Sequence, residues 1–267
     1  MRDITLGQFF PADSLLHRLD PRVKIVLLIA YIVLIFYTGN ILSLLFIALT
    51  VLAIVLLSAV PLRMYLKSLK VIIIIVLITS VLNLFYGTGE AIFQWGIIRV
   101  TWGGIRNAVF VSVRIICLIL LSSALTFTTS PTDLTDAIER LLSPLAFLHV
   151  PVHEIAMMMT IALRFVPTLL EETDKIMAAQ KARGADMESG SFLHRVRALV
   201  PVLVPLFVSA FRRAYELAVA MECRCYQGGD GRTRMKQLKL CSRDFVAMAV
   251  TLAAIAVMVL LNTLVTL

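Results

Sequence analysis

The sequence predicts an all-α integral membrane protein with about five transmembrane helices, a module of long amphipathic cytoplasmic helices, and a small extracytoplasmic β-hairpin or cap near residues 91–102. Three observations support this fold class. Hydrophobic residues make up 60% of the chain, whereas soluble domains are roughly 45–50% apolar. The mean hydropathy is +0.92. Several apolar runs approach the roughly 20 residues that a helix needs to cross a bilayer.

The first two apolar runs, residues 22–38 and 41–60, are separated only by Gly39 and Asn40. Because glycine and asparagine favour tight turns, we expect a membrane hairpin here. The polar arm that precedes it, residues 1–21, lacks the apolar segment of a cleavable signal peptide. The first run is therefore expected to stay in the membrane.

A basic connector at residues 61–70 precedes a third apolar run at 71–86, and a fourth run covers 105–127. Between the third and fourth runs, residues 91–102 alternate loosely and are rich in aromatic and β-branched side chains. This pattern favours a small β-hairpin or a re-entrant cap, with its tryptophans at the level of the lipid headgroups. The last apolar run, 244–267, predicts a C-terminal transmembrane helix.

The segment from 129 to 243 is different in character, because it holds fifteen of the 25 Lys and Arg residues. Three helices and a basic loop are predicted there: 133–148, Pro151 to about Ala182, about Phe192 to Cys225, and the loop at 226–242. The chain is therefore predicted to have three parts, which are the N-terminal membrane helices (1–128), the cytoplasmic helical module (129–242) and the C-terminal transmembrane helix (243–267).

Two stretches of the cytoplasmic module, residues 155–170 and 198–211, are apolar enough to allow a second interpretation. Prolines interrupt both stretches, and the first contains Arg164. Apolar runs of this length are more often buried or interfacial helices than complete spans. We favour cytoplasmic or interfacial helices, with partial entry into the membrane as the alternative.

The distribution of basic residues predicts the orientation in the membrane. The N-terminal arm through Lys24 has four, the 61–70 connector three and the segment 129–243 fifteen, whereas the loop at 87–106 has two. Cytoplasmic segments carry the excess of Lys and Arg. The N-terminus is therefore predicted to be cytoplasmic and the 87–106 loop external.

No motif in the sequence would make the chain an enzyme by itself. It has no G-x-x-x-x-G-K-[ST] loop for ATP and no G-x-S-x-G, and Met157 stands where a zinc protease needs a second histidine after His153. The four cysteines lack the spacing of zinc ligands, so neither a metal nor a cofactor is expected. An enzyme acting on lipid would need clustered acidic or histidine residues, which the sequence does not show.

Two further charged features of the sequence are candidate sites. The acidic group Glu171, Glu172 and Asp174 is interpreted as the solvated face of a helix. Arg114 lies inside the fourth apolar run, where we expect it to contact another helix or a partner rather than a substrate. Since the spans are otherwise nearly free of charge and no inverted repeat is visible, a self-sufficient secondary transporter or channel is the less favoured alternative.

Two helix ends carry the candidate site, and each consists of an arginine between small residues. The first tip is Ala182-Arg183-Gly184, and the second tip, 41 residues later (224 − 183), is Cys223-Arg224-Cys225. An arginine at a helix C-terminus can simply cap the last carbonyls. Its planar guanidinium can also enter a groove of another protein. Two such ends on two long helices favour docking to a partner protein.

The N-terminal arm and the two tips together carry a family resemblance. The arm contains Gly7-Gln8-Phe9-Phe10-Pro11 followed by Ser14-x-x-His17-Arg18-Leu19-Asp20-Pro21-Arg22-x-Lys24. This pattern is similar to the N-terminal signature of the transmembrane T components (EcfT family) of energy-coupling factor transporters, and the two tips are similar to the X-Arg-X motifs of that family. The resemblance covers essentially the whole chain. The cysteines on both sides of Arg224 depart from the Ala, Ser or Gly expected on at least one side.

The resemblance implies a non-catalytic scaffold subunit of an ABC-type importer for vitamins or metals, in the plasma membrane of a prokaryote. In such transporters the two tips insert into two ABC-type ATPase subunits (EcfA type), which hydrolyse the ATP. The long cytoplasmic helices, called coupling helices, also hold one substrate-binding S component. The implied partners are therefore these subunits and the lipid bilayer, and no nucleic acid.

Overall fold

The chain is mainly helical, and the computed structural model describes residues 9–85, 91–95, 98–148, 150–185, 191–228 and 238–266. The elements in order are α1 (Pro21–Tyr37), α2 (Ile41–Leu57), α3 (Leu62–Phe85), β1 (Ala91–Trp95), β2 (Ile98–Thr101), α4 (Trp102–Thr128), α5 (Pro131–Leu142), a 3₁₀-helix (Ser143–Leu148), α6 (Val152–Ala182), α7 (Phe192–Glu222) and α8 (Ser242–Thr266). The predicted helical architecture is confirmed.

Within the described residues, five helices are long and apolar enough to cross a membrane, namely α3, α4, α6, α7 and α8. The predicted number of about five is confirmed, but its membership differs. The predicted spans 22–38 and 41–60 form α1 and α2, which have 17 residues each. At 1.5 Å per residue such a helix reaches about 26 Å, which is short of the roughly 30 Å hydrocarbon core. The cytoplasmic location of α6 and α7 stays a prediction.

Two predicted boundaries are wrong. The segment at 61–70 is not a separate connector, because α3 begins at Leu62 directly after a proline and runs without a break. A proline at a helix start removes no hydrogen bond, so it favours initiation there. The helix predicted at 133–148 ends at Leu142, and a 3₁₀-helix follows. Pro144 accounts for this end, since its ring disfavours the α conformation in the preceding residue.

The segment between α3 and α4 contains a short antiparallel strand pair. Strand β1 pairs with β2 in a register that places Trp95 opposite Ile98 and Gln94 opposite Arg99, with an irregularity between Ala91 and Phe93. Residues 86–90, before β1, and residues 96–97, between the two strands, lie outside the described residues. Whether the hairpin caps the outer face of the membrane stays a prediction.

The chain divides into two compact units. One, here called the bundle unit, comprises residues 7–137 and 237–267, and the other, here called the helix-pair unit, comprises residues 1–6 and 138–236. The bundle unit holds α1 to α4 and α8, and the helix-pair unit holds α6 and α7. The predicted boundaries after residues 128 and 242 stay predictions.

Two clusters of buried apolar side chains form the core of the bundle unit. In the larger cluster, Ile35 of α1, Ile47 of α2 and Met258 of α8 are completely buried. In the smaller cluster, Tyr65 of α3 lies edge-on against Phe127 of α4, with 5.2 Å between the ring centroids. These contacts join helices that are distant in sequence, so the C-terminal helix α8 is part of the same core as α1 and α2.

Polar residues of the N-terminal signature tie three helix ends together. The carboxylate of Asp244 is 1% exposed and accepts a hydrogen bond from the backbone N–H of Asp20 at 2.8 Å, which joins the start of α1 to the start of α8. Arg22 Nη2 donates to Asp20 Oδ2 at 2.8 Å, and Lys24 Nζ donates to the carbonyl of Thr128 at the end of α4 at 2.8 Å. Burial raises the pKa of Asp20, but hydrogen bonds from Arg22 outweigh it and leave this pKa below its usual value.

A second polar cluster holds the turn between α1 and α2. Arg114 Nη2 of α4 donates to the carbonyl of Thr38 at 3.2 Å, and its guanidinium lies 5.5 Å from the centroid of the Phe36 ring. Asn40 Nδ2 donates to Asn262 Oδ1 of α8 at 3.3 Å. The prediction that Arg114 contacts another helix is confirmed. A cation beside the last carbonyls of α1 is also favoured by the helix dipole.

Gly104 allows the close approach of α3 and α4, and its replacement gives a test of this packing. A Cβ at position 104 would lie 2.5 Å from the carbonyl oxygen of Leu84 and 3.2 Å from that of Asn83. Because backbone atoms cannot move aside as a flexible side chain can, Gly104→Ala should destabilise the bundle by about 1–3 kcal/mol. The measurement is thermal unfolding in detergent. Asn107→Ala, at an exposed position one turn further along α4, should leave the midpoint unchanged, and an unchanged midpoint for Gly104→Ala would contradict the packing argument.

Candidate coupling site at two helix tips

The helix-pair unit is built on α6 and α7, which lie side by side and run in opposite directions. The Tyr226 hydroxyl, just after α7, donates to Met157 Sδ near the start of α6 at 3.0 Å. Near the other end, Gln180 Nε2 of α6 donates to the carbonyl of Pro201 in α7 at 3.4 Å. Residue numbers rise along one helix as they fall along the other, so the register is antiparallel over most of both helices.

Two prolines four residues apart make one of these contacts available. A proline has no backbone N–H, so Pro205 cannot donate the usual helical hydrogen bond to the carbonyl of Pro201. That carbonyl is then free to accept from Gln180. Helix α7 nevertheless continues through both prolines, and α6 continues through Pro167.

Glu172 forms the central polar contact between the two helices. Its carboxylate accepts hydrogen bonds from Ser209 Oγ and from Arg213 Nη2, the latter at 3.1 Å. Its side chain is 23% exposed, whereas Glu171 and Asp174 are exposed. The interpretation of this acidic group as a solvated helix face is therefore wrong for Glu172. Ser209 and Arg213 share a helix face because they are four residues apart. Their acidic partner could not be predicted, because it depends on how α6 and α7 align with each other.

The first tip closes α6 through a Schellman motif. The backbone N–H of Gly184 donates to the carbonyl of Lys181 at 3.0 Å, and that of Ala185 donates to Gln180 at 3.0 Å. Gly184 has a φ of +86°, the left-handed conformation that this motif requires and that glycine adopts without strain. Arg183 is the C-cap residue. Gly184 therefore occupies the position that follows the C-cap.

The second tip closes α7 with the same hydrogen-bond pattern, shifted by 41 residues (224 − 183). The backbone N–H of Cys225 donates to the carbonyl of Glu222 at 2.8 Å, and that of Tyr226 donates to Met221 at 3.1 Å. Cys225 takes the left-handed position with a φ of +57°. By this pattern Arg224 occupies the same place in its motif as Arg183 does in the first tip.

The backbone closure leaves both guanidinium groups available. In each tip, backbone N–H groups already satisfy the carbonyls that a capping side chain would otherwise bind. Arg183 and Arg224 are exposed, and across the described residues neither side chain has a hydrogen-bond or ion-pair partner. Simple capping by the arginine side chain is thus not what the structure shows. The arrangement presents two cations, each held at the negative end of a helix dipole.

The two tips lie at opposite ends of the helix pair. Arg224 belongs to the end where Tyr226 meets Met157, and Arg183 lies 26 residues further along α6 (183 − 157). At 1.5 Å per residue this corresponds to about 40 Å along the helix. The sequence predicted both tips, but it could not indicate that they point in opposite directions.

The surroundings of the two tips differ. A cavity of about 410 Å³ lies beside Arg224 and is also lined by Met157, Met221, Cys225 and Tyr226. Around Gly184, a Cβ would meet no atom of the described residues within 4 Å. Met221 and Tyr226 thus lie beside the second tip.

The left-handed conformation of Cys225 predicts a local effect of substitution. A non-glycine residue in this conformation costs about 1–2 kcal/mol. Replacing it with glycine removes this cost, but the greater conformational freedom of glycine in the unfolded chain cancels part of the gain. Cys225→Gly should therefore slow the hydrogen exchange of the amides of Cys225 and Tyr226 by up to about fivefold, measured by mass spectrometry. The reciprocal change Gly184→Cys should speed the hydrogen exchange of the backbone amides at positions 184 and 185. Equal exchange in all variants would contradict the assigned geometry.

Comparison with known proteins gives a consistent result. A family model described as CbiQ, cobalt transport protein, matches residues 12–236. Relatives named energy-coupling factor transporter transmembrane protein EcfT include those of Clostridium kluyveri, 52% identical over 97% of each chain, and Ruminiclostridium cellulolyticum, 50% identical over 98% of each chain. That of Bacillus subtilis is 49% identical over 91% of this chain and 92% of its own. The chain therefore belongs to the EcfT family, the transmembrane components of energy-coupling factor transporters.

Proposed function

We propose that this transporter subunit is a scaffold that transmits the ATP-driven motion of two ABC-type ATPase subunits to one substrate-binding S component, for the uptake of a vitamin or a metal. The observation that carries the proposal is the repeated geometry of the two tips. Each presents an exposed arginine at the same place in the same backbone motif. Two equivalent tips suit two equivalent or similar partners, with one tip for each ATPase subunit.

Docking of the ATPases depends on the small residues beside each arginine. Ala182 and Gly184 flank Arg183, and Cys223 and Cys225 flank Arg224. Small flanks allow the guanidinium to enter a narrow groove, where its planar fork can donate to carboxylates and carbonyls. The cysteines are exposed thiols and leave the second tip almost as narrow as the first. In this proposal the partners hydrolyse ATP and this chain acts as a non-catalytic scaffold.

In this proposed function α6 and α7 lie on the cytoplasmic side as coupling helices, within a module covering residues 129–242. The excess of basic residues in this segment supports a cytoplasmic location. Three polar contacts hold the helices together, at Met157, Glu172 and Gln180. With the N-terminus also cytoplasmic, the hairpin between α3 and α4 would face outward.

An apolar stripe on α7 is the proposed docking surface for the S component. Its members are exposed and recur every three or four residues, so they share one helix face: Val196, Val200, Leu203, Phe207 and Phe211. Phe211 is 73% exposed. An exposed apolar patch of this kind marks an interaction site with a protein or a membrane, and an S component is an apolar membrane protein. The secondary-transporter alternative is not favoured, because Arg114 is engaged with Thr38.

Charge reversal at the tips tests the ATPase contacts. Arg183→Glu and Arg224→Glu should leave the protein inserted and folded but reduce the amount of co-purified ATPase at least about tenfold. Disrupting one partner of a hydrogen-bonded charge pair in an interface typically costs about 2 kcal/mol or more. Arg212→Glu is the matched control, because Arg212 is an exposed arginine on α7 away from both tips. If both tip variants kept their ATPases and full uptake, the docking proposal would fail.

A substitution in the apolar stripe separates the two kinds of partner. Phe207→Glu places a charge in the middle of the stripe and should release the S component while the ATPases stay bound. Because burying an unpaired carboxylate is costly, we expect at least a tenfold loss of co-purified S component. Phe207→Leu keeps the apolar character and should retain it. Joint loss of ATPases and S component would instead indicate misfolding, and retention of the S component by Phe207→Glu would contradict this surface.

A further inference from the structure

An apolar cavity of about 450 Å³ lies inside the bundle unit, between α1, α2, α4 and α8. Most of its lining consists of aliphatic side chains, including Leu28, Ile54, Leu121, Val246 and Ala247, and leucines of the N-terminal arm lie at one end. Neither the proposed ATPase contacts nor the proposed S-component surface uses this cavity.

The polar residues of the lining are not scattered but lie at its two ends. Lys24 is in the first turn of α1, Thr128 is the last residue of α4, and Arg243 is in the first turn of α8. Tyr31 and Thr251 mark the opposite end, seven residues deeper along α1 and eight residues deeper along α8. At 1.5 Å per residue the apolar part between them is about 10–12 Å long. The cavity is therefore a slot parallel to the helices, with cations at one end only.

Of the two cations at this end of the slot, Lys24 has hydrogen-bond partners, whereas Arg243 has none among the described residues. Lys24 Nζ already donates to the Thr128 carbonyl. The nearby carboxylates are occupied as well, since Asp20 accepts from Arg22 and Asp244 accepts from two backbone N–H groups. Arg243 is exposed, and no partner for its guanidinium occurs among the described residues. Ser242, beside it in the lining, adds a hydroxyl group.

We propose that this slot binds one anionic phospholipid, with an acyl chain between the helices and the phosphate at Arg243 and Ser242. Lipid chains run parallel to transmembrane helices and carry their headgroups at the interface, which is the arrangement of apolar slot and cation found here. Water does not fill an apolar cavity, and an empty one forfeits the dispersion contacts of its lining. Anionic headgroups are attracted to basic residues at the membrane surface.

The site would make the lipid a structural part of the bundle. Helix α8 meets the other helices through the core around Met258 and through Asp244, and the slot lies against the face of α8 that carries Val246, Ala247 and Val250. A chain in the slot would fill the space between α8 and α4. Since a ligand that binds only the folded state stabilises it, an anionic phospholipid should raise the unfolding temperature.

Native mass spectrometry of the delipidated full-length protein in a neutral detergent provides the test. With added phosphatidylglycerol, the wild type should retain one lipid per chain and bind it at least several-fold better than phosphatidylethanolamine. Ala247→Trp fills the slot and should lower occupancy at least tenfold. Ala249→Trp is the matched control, because Ala249 is exposed on the same helix and does not line the cavity. Arg243→Gln should abolish the preference between the two lipids.

The same measurements define the results that would overturn the proposal. Equal occupancy in the wild type and Ala247→Trp would do so, as would the absence of any preference for phosphatidylglycerol in the wild type. Because a tryptophan could disturb the bundle, Val250→Phe, which also lines the slot, is compared by the rise in unfolding temperature on lipid addition. An unreduced rise in that variant, or an equal rise with glycerol phosphate alone, would exclude the acyl-chain slot.

Discussion

The closure of a helix C-terminus by its own backbone is the constraint on which the candidate site depends. The last carbonyls of a helix must find donors, and an arginine side chain at that place could be used up in supplying them. In both α6 and α7 the donors come from the following backbone N–H groups. The left-handed residue that makes this possible is Gly184 in one case and Cys225 in the other. The backbone of each arginine is thereby held in place, while its guanidinium has no partner among the described residues.

In the bundle unit, by contrast, the polar side chains at the two ends of α1 make hydrogen bonds within the fold. Asp20 and Asp244 connect the starts of α1 and α8, and Arg114 and Asn262 hold the turn that follows α1. Both ends of α1 are therefore fixed by hydrogen bonds, while its middle packs through Ile35. The charged residues of the two motifs therefore differ in their surroundings. Asp20, Arg22 and Lys24 of the N-terminal signature are hydrogen-bonded within the fold, whereas Arg183 and Arg224 are exposed and have no side-chain partner among the described residues.

Hydrophobic patterning predicted the helices well, since long apolar runs and the prolines at their ends are local signals. The starts of α1 and α6 and the end of α6 at Ala182 follow from such signals. The sequence also located both tips, because an arginine between small residues can be recognised without a partner. It could not reveal the hydrogen bonds from Ser209 and Arg213 to Glu172, since they depend on how the two helices align. The assignment of spans was limited for a related reason: α6 is as apolar as a span over much of its length, and length and composition do not distinguish the two environments.

The antiparallel pairing of α6 and α7 has a mechanical consequence. A hydrogen-bonded helix resists shortening along its axis, so the separation of about 40 Å between the two arginines is nearly constant. Two proteins that each held one end and then moved toward each other could not compress this strut. They would have to tilt or turn it as a single body. Glu172, which is hydrogen-bonded to Arg213 of α7 near the middle of the pair, would move least in such a turn. A protein bound to the helix pair between its two ends would turn together with the pair.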